Sequence, residues 1–133
     1  MRSWQISVVP DLDDPLRCAP PDRRLAAGWA AAQWAIHQTG LLHPLISGAK
    51  IGGPTGEIAA LVAELDDRYL NLQELCDGGE CTKEEVLAAF RRARAVNALE
   101  FAVRGEPAEA VYEAAVCCDD VSELRRVVAV ALG

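Results

Sequence analysis

The chain is expected to be all-α: an irregular five-helix bundle carrying an extended N-terminal arm. Three observations predict this. Apolar residues recur at helical spacing through most of residues 22–133. Alanine is abundant and only 5% of residues are aromatic, which suits helices packed closely through small side chains. Turn and capping residues fall between the periodic stretches. A length of 133 residues fits one domain with one core. That domain divides into an arm and linker over 1–21 and a helical core over 22–133.

Residues 4–9 alternate Trp4, Ile6 and Val8 against Gln5 and Ser7, so they read as the sole strand-like stretch. One short strand builds no sheet, so an arm docked in extended form, or paired with a second copy, is expected. Residues 10–22 hold four prolines and four aspartates and read as an irregular acidic linker.

Helix one is expected over 21–39, closed by Gly40. Leu25, Trp29, Ala32 and Ile36 share an arc of about 60°, and Ala27, Ala30 and Trp34 make the other side apolar too. A helix apolar nearly all round is buried on two sides, so helix one should be the most buried. Residues 40–54 then form a long, Gly-rich, apolar connection of the kind used for lids, binding loops and interfaces.

Helix two is expected over 55–76. Ile58, Leu61, Val62, Leu65, Tyr69, Leu72 and Cys76 share an arc of about 100°. Residues 77–80 break it, and Thr82 with Glu85 forms a capping box for helix three. Helix three should place Val86, Phe90, Ala93, Asn97 and Phe101 on one face and end at Gly105. Pro107 suits the first turn of helix four, which turns Ala108, Val111, Ala114, Ala115 and Cys118 inward and Glu109 and Glu113 outward. Asp120, with Glu123, reads as the N-cap of helix five, whose inward residues are Val121, Leu124, Val127, Val128 and Ala131.

Twenty acidic against thirteen basic residues give a formal net charge of −7. That balance repels a phosphate backbone and an anionic bilayer alike, so no nucleic-acid or membrane partner is expected. A helix–turn–helix reading of helices three to five fails on the same charge. The natural complements are a basic protein or a second copy of the chain. No apolar run nears the roughly 20 residues of a membrane span, and no apolar leader follows Met1. Five cysteines, an odd number, argue against a secreted disulfide framework. A cytoplasmic protein with free thiols and no cofactor is expected.

The candidate site residues are few. His37 and His43 flank the end of helix one and are the only histidines, so they and Lys50 are the candidate catalytic groups. Trp29, Trp34 and Asn97 are the candidate ligand-binding groups, in a pocket between helix one and the 40–54 connection. The 47–56 stretch, with Lys50 ahead of a helix start, could also hold an anion, although no Gly-Lys-Ser/Thr closes it and Pro54 removes a donor. Cys76, Cys81, Cys117 and Cys118 lack paired zinc spacing, so no metal is expected. An EF-hand over 74–85 fails because Cys76 and Gly78 stand where oxygen ligands are needed. Asp66 and Asp67 project about 100° apart and make no catalytic pair. Asn97, amid apolar neighbours, must find partners or cost about 1–3 kcal/mol. Arg91, Arg92 and Arg94 answer acidic neighbouring helices. The functional expectation is an interaction protein, namely a regulator, accessory subunit or inhibitor of a basic partner. A small cofactor-independent enzyme or small-molecule binder is the alternative.

Overall fold

A computed structural model describes residues 9–117 and 119–133. Among these residues the protein is all-helical, with seven helices rather than five. They are α1 (Pro10–Cys18), α2 (Pro21–Thr39), α3 (Pro44–Ser47), α4 (Gly56–Asp77), α5 (Lys83–Val103), α6 (Pro107–Ala115) and α7 (Ser122–Leu132). The expected strand-like arm lies outside the described residues, apart from Val9, which is buried.

The expected linker is the first correction. Residues 10–18 form α1, with Pro10 in the first turn, where its missing N–H costs nothing. Pro15 lies inside the helix, but Leu12 and Leu16, one turn apart, are buried and dock it. Its neighbours are α2 and α7, and Asp11 on its exposed side pairs with Arg125 at 3.0 Å. The second added helix, α3, is a single turn within the 40–54 connection. His43 starts it, with Nδ1 accepting the Leu45 N–H at 3.1 Å.

The remaining elements fall where the periodicity places them, within a residue or two. Gly40 closes α2 in the left-handed conformation (φ 66°). The Thr82 hydroxyl accepts the Glu85 N–H at 3.2 Å. Glu85 answers by accepting from that hydroxyl instead of reaching the Thr82 backbone. Asp120 accepts the Ser122 N–H at 2.9 Å, which holds its carboxyl below the usual aspartate range. Glu123 does not complete a capping box; it accepts the Trp34 indole N–H at 3.1 Å and so ties α7 to α2.

Two helices share the centre. α2 packs against α5, α6 and α7, and its buried face is Ala27, Gly28, Ala31, Ala32 and Ala35 flanked by Trp34 and Ile36. α5 lies between α2, α4 and α6 and buries more positions than α2. Enclosed on three sides, α5 buries Ala95, Val96, Ala98, Leu99, Ala102 and Val103 over an arc of about 160°, while Phe90, Asn97 and Phe101 are only half-buried. A single inward face was therefore too narrow an expectation. At the α2–α6 crossing Gly28 meets Pro107 so closely that a Cβ on Gly28 would stand 2.8 Å from the Pro107 Cα.

α6 holds the other correction. Ala108 is exposed, Ala110 is buried, and Glu113, expected outward, is 6% exposed. Its carboxylate is tolerated there because α5 supplies a guanidinium and an amide to it.

Candidate functional site

α4 is 22 residues long, about 33 Å at 1.5 Å per residue. Its main neighbour is α5, and α3 is a lesser one. Only Ile58, Leu61 and Val62, in its first half, are buried. The apolar stripe continues through Leu65, Tyr69, Leu72 and Cys76, but those residues are half-buried, because among the described residues the bundle does not extend over them. The α4–α5 hairpin therefore projects with apolar surface to spare. Leu70, Leu75 and Leu87 are 53%, 41% and 44% exposed.

Between the projecting halves runs a groove of about 380 Å³. Tyr69, Gln73, Cys76 and Asp77 line it from α4; Lys83, Val86, Leu87 and Phe90 line it from α5. Both sets have the spacing of one helix face, so the groove runs along the helices. Its aromatic floor is the Tyr69–Phe90 pair, with ring centroids 5.3 Å apart and planes inclined at 59°. The segment 69–87 carries five carboxylates (Glu74, Asp77, Glu80, Glu84 and Glu85) against Lys83. This end of the hairpin thus carries a net charge of −4.

The floor is anchored to a half-buried charge network. The Arg94 guanidinium lies 5.9 Å from the centroid of the Phe90 ring. It donates to Asp66 of α4 at 2.7 Å and to Glu113 of α6 at 2.8 Å. Asn97 donates to the same Glu113 oxygen. Burial works against the charge on Arg94, but Glu113 and Asp66 outweigh it and raise the guanidinium above its ordinary value. One arginine thus fixes α4, α5 and α6 in register; of the three arginines expected to answer acidic helices, Arg94 does so, and Arg91 meets Asp119 in the α6–α7 turn at 3.5 Å.

The residues singled out from the sequence do not converge. Trp34 is buried and bonded to Glu123, and Trp29 packs partly buried against the core. His37 is exposed at the end of α2, whereas His43 caps α3. Asn97 belongs to the Arg94–Glu113 network. Of the six, Lys50 alone lines the cavity of the 40–54 connection, a space of about 220 Å³ shared with Leu45, Pro54, Glu57 and Ile58. The Glu57 carboxylate in that lining opposes an anion. Among the described residues no group of three or more His, Cys, Asp or Glu could hold a metal ion, and no helix is long and apolar enough to cross a membrane.

The groove residues were legible only as core. Tyr69 and Phe90 stand on apolar stripes, and a stripe looks the same whether a neighbour covers it or not. The available signal was length: α4 and its stripe outrun the short helices α6 and α7, which cannot cover its far half. The chain matches no protein-family model, no curated protein and no solved structure.

Proposed function

We propose that this chain is a non-catalytic interaction protein, a regulator, accessory subunit or inhibitor, that captures a basic amphipathic helix of a partner protein in the α4–α5 groove. The observation that carries this reading is the coincidence of an aromatic groove, uncovered among the described residues, with a carboxylate-rich segment of the chain. An amphipathic helix laid along two parallel helix faces buries anchors at i, i+3, i+4 and i+7. Tyr69, Leu87 and Phe90 offer it apolar contact, and the surrounding carboxylates favour lysine or arginine on its flanks. Nucleic acid and anionic membranes carry the wrong charge for this surface. The thiols of Cys18, Cys76 and Cys81 are free, which suits a reducing, cytoplasmic setting.

The test uses a synthetic helical peptide with leucines on one face and lysines on the other. Titrated into isotope-labelled protein at low salt, it should shift the amide signals of Tyr69, Val86, Leu87 and Phe90, saturably. Binding should weaken steeply as salt is raised. Leu87→Ser, on an exposed side chain, should weaken it about tenfold, equivalent to about 1.4 kcal/mol. The paired change Asp77→Asn with Glu80→Gln should act mainly by slowing association. Absence of binding, shifts confined to other surfaces, or a concentration-dependent dimer sealed through this groove would defeat the proposal.

A further inference from the structure

We propose that Cys76 and Cys81, facing each other across the α4–α5 turn, are a dithiol modification site that closes reversibly to an intramolecular disulfide by exchange with a low-molecular-weight disulfide. Their placement follows from the backbone. The Cys81 thiol donates to the Leu72 carbonyl at 3.0 Å. In an α-helix that carbonyl is also the acceptor for the N–H of residue 76. The sulfur of Cys81 and the backbone of Cys76 thus converge on one oxygen atom.

The turn holds them there. Gly79 takes a positive φ of 79°, its N–H bonds the Cys76 carbonyl at 3.0 Å, and the Glu80 N–H bonds the Leu75 carbonyl at 2.7 Å. Those bonds reverse the chain within four intervening residues, so closing the ring requires no rearrangement of the core. Both cysteines are half-buried, and Cys76 also lines the groove, which gives a small reagent access. Cys117 is different: it is buried, and its thiol lies against the carbonyls of Arg91 and Glu113.

The exchange balances without a metal or an electron carrier. The Cys76 thiolate attacks one sulfur of the external disulfide, forming a mixed disulfide and expelling one thiolate. The Cys81 thiol then loses its proton and attacks the Cys76 sulfur, forming the intramolecular bond and expelling the second thiolate. Two protein thiols are oxidised, the external disulfide is reduced to two thiols, and the two protons go to the leaving groups. Desolvation pushes the Cys81 thiol up from its ordinary value, and Cys76, Glu85 and Asp77 add to the shift. Cys81 therefore stays protonated at neutral pH, which suits a resolving thiol that acts only once a mixed disulfide stands beside it.

The experiment equilibrates the full chain in mixtures of reduced and oxidised glutathione, alkylates the remaining thiols and digests with trypsin. Cleavage after Arg68 and Lys83 leaves both cysteines in one peptide. That peptide should appear two hydrogens lighter and unalkylated, and dithiothreitol should restore it. Cys117 should stay reduced unless the protein is denatured. Cys81→Ser should instead trap glutathione on Cys76, giving a stable mixed disulfide. Full alkylation of both cysteines across the whole redox range would overturn the proposal. So would glutathione accumulating on the wild-type pair without ring closure, while circular dichroism shows the helices intact. Neither readout depends on what the groove binds.

Discussion

Replacing Arg94 by methionine should destabilise the protein by about 3–5 kcal/mol, the cost of leaving a buried charge without its partner. Glu113 is 6% exposed and its carboxylate is met by Arg94 and Asn97. Methionine fills the space but offers no charge, so the Glu113 carboxylate would be left with one amide. Adding Glu113→Gln to Arg94→Met should recover most of the loss at neutral pH, because glutamine carries no charge and still accepts from Asn97. Urea denaturation followed by circular dichroism measures all three. A single variant within about 1 kcal/mol of wild type would show that the network carries little of the fold's stability.

The second large effect belongs to a residue with no side chain. Gly28→Ala should cost about 1–3 kcal/mol, although alanine is ordinarily better than glycine inside a helix by about 1 kcal/mol. The new Cβ would fall 2.8 Å from the Pro107 Cα and 3.0 Å from its Cβ, and the nearest of these is backbone, which cannot swing aside. α2 and α6 would have to separate, and both bear on the Ala110–Ala114 side of the core. Gly56→Ala, in the first turn of α4 where a Cβ meets nothing within 4 Å, is the matched control and should be neutral or stabilising. Equal midpoints for the two variants would refute the close-approach explanation.

These two sites also mark how far the sequence could be read. The long helices were plain from periodicity, and the ends of α2, α4 and α5 from Gly40, the Gly78–Gly79 break and Thr82 with Glu85. α1 was hidden, because the four prolines and four aspartates of residues 10–22 outweigh two leucines in any local accounting. Only the surface formed by α2 and α7 makes Leu12 and Leu16 decisive. The sequence pattern places Glu113 outward, because an acid at the edge of an alanine face normally is. Its actual position depends on Arg94, nineteen residues away, and no local pattern couples the two. The same limit hid the groove: composition marks a stripe as apolar, and only tertiary structure decides whether something covers it.

The slender attachment of α4 bears on how the molecule comes apart. The outer helix leans chiefly on one partner, and beyond Val62 it buries no residue fully, whereas α2 and α5 are clasped from several sides. Resistance to opening must therefore be unevenly distributed. Backbone amides of residues 69–77 should trade their hydrogens for deuterium well before those of α2 and the second half of α5, through excursions that peel one arm away and leave the remainder standing. A bound helix lying across both arms would suppress those excursions, so protection spreading out to the tip would register occupancy even where no spectroscopic label is present.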